Sequence, residues 1–206
     1  MALTTRMYHV FGGRFRGRRM EWVVGEFGDC QNVLDIGGES PTWKDFRPSR
    51  LTLLNVGTRP LDLDASVAYI QGDGRALPAP DGAFDLAFSN SVIEHVGSLD
   101  DQRRFAQEMQ RVGRRLYCQT PNKWFPVETH SLGLLLHWLP ETWLSAVAYR
   151  YLTLQGWRTK PTLEECLTRL RAVRLLTRRE LTAMFPGCHI RTERFLGLAK
   201  SFIAWR

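Results

Sequence analysis

The chain has 206 residues, with 28 Lys and Arg against 21 Asp and Glu, for a formal net charge of +7. That length suits one domain with a core of its own. A content of 44% hydrophobic and 24% charged residues is ordinary for a soluble globular protein. There is no internal repeat, no low-complexity tract and no uninterrupted apolar run of roughly 18 residues, so no membrane-spanning helix is expected. The basic stretch from Met1 to Arg19 lacks an apolar core followed by a cleavage site and does not read as a signal peptide. The four cysteines, Cys30, Cys118, Cys166 and Cys188, form no C-x-x-C pair, so no metal site is expected and reduced, cytoplasmic thiols are the default. The surplus charge is mostly arginine, in Arg14, Arg16, Arg18 and Arg19 and again in Arg169, Arg171, Arg174, Arg178 and Arg179. Such clusters read first as solvated helix faces. Nucleic acid, an anionic membrane surface or an acidic substrate are the other partners they suit.

In chain order, Arg14 to Phe27 reads as a leading helix whose apolar side holds Phe15, Met20, Trp22, Val23 and Phe27. Asn32 to Ile36 is near-continuously apolar, as a parallel strand covered on both faces must be. A turn and short helix over Gly37 to Phe46 follow. Further strands are expected at Leu51–Val56, near Val67–Ile70, and at Phe84–Ser89, with Ser91 to Val96 opening the next turn and helix. Asp100 to Val112 reads as a helix, with Asp100 and Asp101 at its positive end and Phe105, Met109 and Val112 inward. A fifth strand, Arg114–Gln119, ends at the turn signal Thr120-Pro121-Asn122. Lys123 to Lys160 is rich in Trp, Leu and Tyr and reads as an inserted helical cap. Thr177 and Glu180 have the spacing of a capping box before a helix to Phe185. Ile190–Phe195 and Ala199–Trp205 are closing strands joined through Gly197-Leu198, which implies one antiparallel edge strand.

This alternation predicts an α/β three-layer sandwich with a mostly parallel sheet. We read 1–206 as a single domain: a helical lead (1–29), a ligand-binding half (30–122), a helical cap on the substrate side (123–176), and a closing helix and strands (177–206).

Four blocks carry the chemistry. Asp35 ends the first strand, where ligands of open α/β sheets bind, and its carboxylate can pair with an ammonium group directly or through water. Gly37 and Gly38 let the backbone turn and approach a ligand, or simply make the strand-to-helix turn. Asn55 ends the second strand, where a nucleoside's ribose is held; it has both an acceptor and a donor, and a turn residue is the other reading. Asp73, in Gly72-Asp73-Gly74-Arg75-Ala76-Leu77-Pro78, can accept from an adenine amino group, with Gly74 and Arg75 beside it. Ser89, Asn90 and Ser91 follow the fourth strand at the mouth of the site, and Glu94 and His95 come next. Together the four blocks point to S-adenosylmethionine. Glu39 would repel the pyrophosphate of a dinucleotide at that turn, whereas S-adenosylmethionine has no phosphate.

Across residues 30 to 122 these motifs resemble class I S-adenosylmethionine-dependent methyltransferases of the small type 11 kind. The closing strands fit the antiparallel hairpin of that fold. The resemblance implies a seven-stranded Rossmann-like sheet, cofactor at the carboxyl ends of its first four strands, S-adenosylhomocysteine as product, and a substrate held under the cap. Two features depart from the pattern. Glu39 and Pro41 stand where that family's first loop has glycines, and Asn55 replaces the usual acid.

Methyl transfer from a sulfonium needs mainly approach, alignment and desolvation. A general base helps when the acceptor is a weak acid. His130 is the candidate base and Glu128 its orienter; capping of a helix over Ser131–Leu139 is the other role for His130. The Trp- and Leu-rich cap packs on itself, lines an apolar pocket, or dips into a membrane interface as a peripheral contact. The expected acceptor is a small molecule, apolar or lipid-like, rather than a macromolecule. The rival readings are a non-catalytic S-adenosylmethionine-binding partner subunit and a nucleic-acid-modifying enzyme, although no RNA-binding appendage is recognisable.

Overall fold

The structure is a computed structural model, and it describes residues 17–44, 46, 48–128, 133–135, 138, 162, 164–165, 168 and 171–206. The chain divides into two compact units, Met1–Asn90 with Arg104–Tyr117 and Ser91–Arg103 with Cys118–Arg206.

In the first unit, β1 (Asn32–Ile36) lies parallel to both β2 (Arg50–Asn55) and β4 (Phe84–Asn90). In turn β2 is parallel to β3 (Ala68–Gln71). With β5 (Gly113–Pro121), β8 (His189–Phe195) and β9 (Leu198–Trp205) they form a seven-stranded sheet of order β3-β2-β1-β4-β5-β9-β8. The pairing of β8 with β9 is antiparallel. The expected fold is therefore the observed one, with each strand within one or two residues of its predicted bounds.

The continuous apolar run of β1 is explained by its two coverings. A helix over 17–27, α1, turns Val23 and Phe27 to the sheet, both 0% exposed, and Trp22 and Phe27 meet Tyr117 of β5. The opposite face takes α2 (Leu99–Val112), whose Phe105, Met109 and Val112 are buried as the periodicity predicts. Each such side chain contributes about 1.5–3 kcal/mol relative to exposure. Phe15 of the predicted leading helix lies outside the described residues.

The first two crossovers are spare. Between β1 and β2 the described residues hold one 3-10 turn, Ser40–Trp43 with a proline at its start, and no helix joins β2 to β3. Pro41 and Pro48 interrupt any longer helix in the first connection.

In the second unit, Ile93–His95 is a 3-10 turn. The predicted capping box is present at α3 (Arg178–Met184): Glu180 N donates to Thr177 Oγ1, and Thr177 N donates to Glu180 Oε2 at 2.8 Å. Leu181, Met184 and Phe185 are buried. Arg174 joins this corner, donating to Gln102 Oε1 at 2.7 Å and pairing with Glu180 at 2.6 Å.

The stretch read as a helical cap differs where it is described. Val127–Glu128 (β6) and Gly133–Leu134 (β7) pair antiparallel, and Leu135 N donates to Pro126 O at 2.7 Å. Pro121 and Pro126 disfavour helical geometry at the residues before them, so an extended chain and hairpin replace the expected helix start. Most of the remaining cap lies outside the described residues.

Candidate functional site

Asp35 is the centre of the site in the first unit. It ends a buried strand and is 1% exposed. Its Oδ2 accepts a 2.7 Å hydrogen bond from Trp43 Nε1, while its Oδ1 is buried with no hydrogen-bond partner among the described residues. Burial pushes its carboxyl up from an ordinary 3.8 to about 7; the Trp43 bond pulls the other way, and nearby Glu39 adds to the rise. A carboxylate so placed has a strong unmet demand for a cation.

The glycines that follow are tied to that carboxylate. Gly37 has φ of 75° and donates its N–H to Leu54 O at 2.7 Å. A Cβ on Gly38 would lie 1.7 Å from Asp35 Oδ2, so any other residue there displaces the acid. Asn55 Nδ2 donates to Gly38 O at 3.1 Å. That bond explains Asn in place of an acid, since a carboxylate would set two acceptors against each other. Glu39 is exposed at the loop's edge.

The register of β1 and β4 pairs Asp35 with Phe88, so Asp35, Phe88 and Asn90 project from one face of the sheet. On that face Phe88 stacks on Tyr117 at 4.6 Å and takes Trp43 edge-on at 4.9 Å. Arg19 of α1, 9% exposed, donates to Asn90 Oδ1 at 3.1 Å. A carboxylate, an aromatic floor and a guanidinium thus share the carboxyl ends of β1 and β4.

Ser89 points to the opposite face, is fully buried, and donates to Ile36 O at 3.2 Å. Its hydroxyl therefore knits β4 to β1 instead of facing solvent. Asp73 engages Arg75 through both carboxylate oxygens, at 2.6–3.0 Å. Gly74 is required by packing, because a Cβ would meet the Phe105 ring at 2.5 Å. This loop is clamped to α2. Glu108 Oε2 accepts from Leu77 N at 2.7 Å, and Arg111 donates to Leu77 O and Ala79 O at 3.0 and 2.7 Å. The Arg111 hydrogen bond holds the Glu108 carboxyl below its usual range.

Two of the predicted cofactor-binding positions, Ser91 and His95, fall in the second unit, with the candidate base His130 and its orienter Glu128. Ser91 has φ of 59°, unusual for a residue with a side chain, and is held by Gln119, to which its N and Oγ both donate. His95 is exposed at the end of its turn, whereas Glu94 is fully buried and accepts from Thr120 Oγ1 at 3.0 Å. His130 lies outside the described residues, as does the Glu128 side chain. The Asp35, Gly37, Gly38, Asn55 and Asn90 expectations come together at the strand ends.

The sequence reading missed Arg19 and Trp43. Arg19 precedes Val23 and Phe27 at four-residue spacing, which puts it on the buried side of α1, a signal that was available. For Trp43 the sequence offered nothing beyond an aromatic residue after a proline.

A family model described as a methyltransferase domain matches residues 44–115. A curated relative, ajmaline N-methyltransferase from Rauvolfia serpentina, is 46% identical over 50 residues, which are 24% of this chain; the chain spans only 16% of that relative's length. Among solved structures, magnesium protoporphyrin IX methyltransferase from Synechocystis PCC 6803 with bound SAH superposes with a TM-score of 0.57 at 13% identity, over 100% of this chain and 87% of that one. The N-methyltransferase NodS from Bradyrhizobium japonicum WM9 gives a TM-score of 0.56 at 11% identity, over 95% and 94%. Residues 44–115 thus match a methyltransferase-domain model, and the chain as a whole shares the fold of these methyltransferase structures.

Proposed function

We propose that the protein is an S-adenosylmethionine-dependent methyltransferase that modifies oxygen, nitrogen or carbon of a small metabolite. The observation that carries this reading is the buried Asp35 carboxylate, with one oxygen unmet, at the carboxyl end of β1 in a methyltransferase fold. When bound, S-adenosylmethionine supplies an electrophilic methyl group on a cationic sulfur. Asp35 Oδ1 takes the ligand's ammonium group, and Arg19, across the same sheet face, meets its carboxylate. Gly38 keeps the loop clear of a side chain there. Asn55, its amide N–H already given to Gly38, offers its carbonyl oxygen to a ribose hydroxyl. Asp73, which also holds Arg75, accepts from the adenine amino group.

The acceptor is a small molecule, apolar or lipid-like. The aromatic and leucine content past β5 supports that, as do Trp124 and Trp138, 60% and 41% exposed. His130 acts as general base, oriented by Glu128; their place just after β5 supports the assignment. His130→Ala then slows turnover without changing cofactor affinity, and an unchanged single-turnover rate removes it from the mechanism.

The test is thermal unfolding with S-adenosylmethionine, S-adenosylhomocysteine and NAD, followed by transfer of a labelled methyl group to an acceptor panel. A ligand at about a hundred times its Kd adds about 2.7 kcal/mol of stability. Stabilisation by both S-adenosyl compounds and not by NAD is expected. No shift with either sinks the cofactor assignment, and binding without transfer to any acceptor favours a non-catalytic partner subunit.

A further inference from the structure

We propose that Trp43 is a positioning residue for the ligand site: its indole N–H fixes one Asp35 oxygen so that the other is presented to a cationic group. The consequence for ligand binding rests on the cofactor reading above; the Trp43–Asp35 coupling itself does not.

The geometry is specific. The indole donates to Asp35 Oδ2 at 2.7 Å, in a contact buried from water, and Oδ1 of the same carboxylate has no hydrogen-bond partner among the described residues. A carboxylate with one oxygen anchored loses its rotational freedom, so the direction of the second oxygen is set before a ligand arrives. Trp43 is itself held, 3% exposed, with its ring edge-on to Phe88 at 4.9 Å and tilted against Phe46 at 5.9 Å. It closes the 3-10 turn that begins at Ser40-Pro41. A single such turn has no α-helix to orient an anion, so an indole donor takes that task in this loop. Among the described residues, the charged group that acts on the carboxylate is Glu39 on the same loop, which opposes ionisation; Arg19 of α1 lies against Asn90, whose side chain projects from the same sheet face. The Trp43 bond favours the ionised form at neutral pH against burial and Glu39.

The test compares the pH dependence of urea unfolding, without ligand, for wild type, Trp43→Phe, Asp35→Asn and the double variant. A hydrogen bond to a charged group is worth about 1.5–3 kcal/mol, or about one to two pH units. In Trp43→Phe the pH range over which stability declines therefore extends at least about one unit higher than in wild type. In the Asp35→Asn background the same substitution leaves the shape of the pH curve unchanged. An identical pH range in wild type and Trp43→Phe overturns the inference.

If the phenylalanine variant is too unstable to measure, indole N–H resonances are followed by NMR in wild type and Asp35→Asn. One indole signal is expected to titrate with Asp35 and to stop titrating in Asp35→Asn; no such signal overturns the inference equally. Calorimetry with S-adenosylhomocysteine then reads the consequence. Affinity falls at least about fivefold at pH 7 in Trp43→Phe, and the deficit narrows at pH 9, where more of the variant's Asp35 is ionised. Failure of wild type to bind S-adenosylhomocysteine would sink the cofactor reading, while the ligand-free pH range judges Trp43 alone.

Discussion

Asp35→Asn should move stability and ligand binding in opposite directions. Asp35 holds its proton to about pH 7 in the folded protein and releases it near 3.8 when unfolded. Between those values the unfolded state binds fewer protons, so stability declines as pH rises, and the penalty is complete above about 7. Roughly three pH units at about 1.4 kcal/mol each put the cost near 4 kcal/mol. Below about pH 4, where both states are protonated, it vanishes. Asparagine keeps an acceptor for the Trp43 indole and carries no charge. It places an N–H₂ donor where Oδ1 was unmet, at a cost of about 1–3 kcal/mol. The variant is thus expected to be more stable than wild type by about 1–3 kcal/mol at pH 8, and the gap should shrink or reverse at pH 5. Urea unfolding at the two pH values measures it. In calorimetry the same variant should bind S-adenosylhomocysteine about 10- to 150-fold more weakly, for the loss of a charge-assisted hydrogen bond of about 1.5–3 kcal/mol. A stability gap that does not change with pH, or an unaltered affinity, refutes the reasoning.

Gly38→Ala would drive a methyl group to 1.7 Å from the Asp35 carboxylate; stabilisation by S-adenosylhomocysteine in a thermal melt should be abolished. Arg19→Gln keeps a donor for Asn90 but removes the cation, and should weaken S-adenosylhomocysteine binding about tenfold or more while leaving the helix in place, checked by calorimetry and circular dichroism. Thr177→Ala breaks the capping box of α3 and should cost about 1 kcal/mol in chemical denaturation. Glu180 in the same box loses solvation, but the Thr177 N–H and Arg174 hold its carboxyl down to about 2. Its contribution is therefore full above its unfolded value near 4.5 and fades as pH falls toward 2, and Glu180→Gln should flatten that part of the acid unfolding curve.

The strand order was legible because the physics behind it is local. A strand covered on both faces must be apolar throughout, as Val33 to Ile36 is, and α2 must repeat its apolar residues at helical spacing, as Phe105, Met109 and Val112 do. The Thr177–Glu180 box could be read from two residues for the same reason. Asp35 and Gly38 could be named as site residues from their place at a strand end, because the carboxyl ends of parallel strands are where such sheets leave room for a ligand.

What surrounds Asp35 was not in the pattern. Whether Ser89 or Asn90 meets the ligand face depends on the register of β4 against β1, which a sequence does not carry. Register pairs Asp35 with Phe88, which puts Asn90 on the same face and sends Ser89 to the other. The short first crossover folds Trp43 onto Phe88, and α1 lays Arg19 against Asn90, contacts between residues 45 and 71 positions apart along the chain. Composition and spacing thus determined the sheet, its helices and the acid at its centre. Only tertiary packing decided which donor holds that acid, which oxygen it leaves unmet and which cation shares its face, because those follow from the distances that the folded chain alone sets.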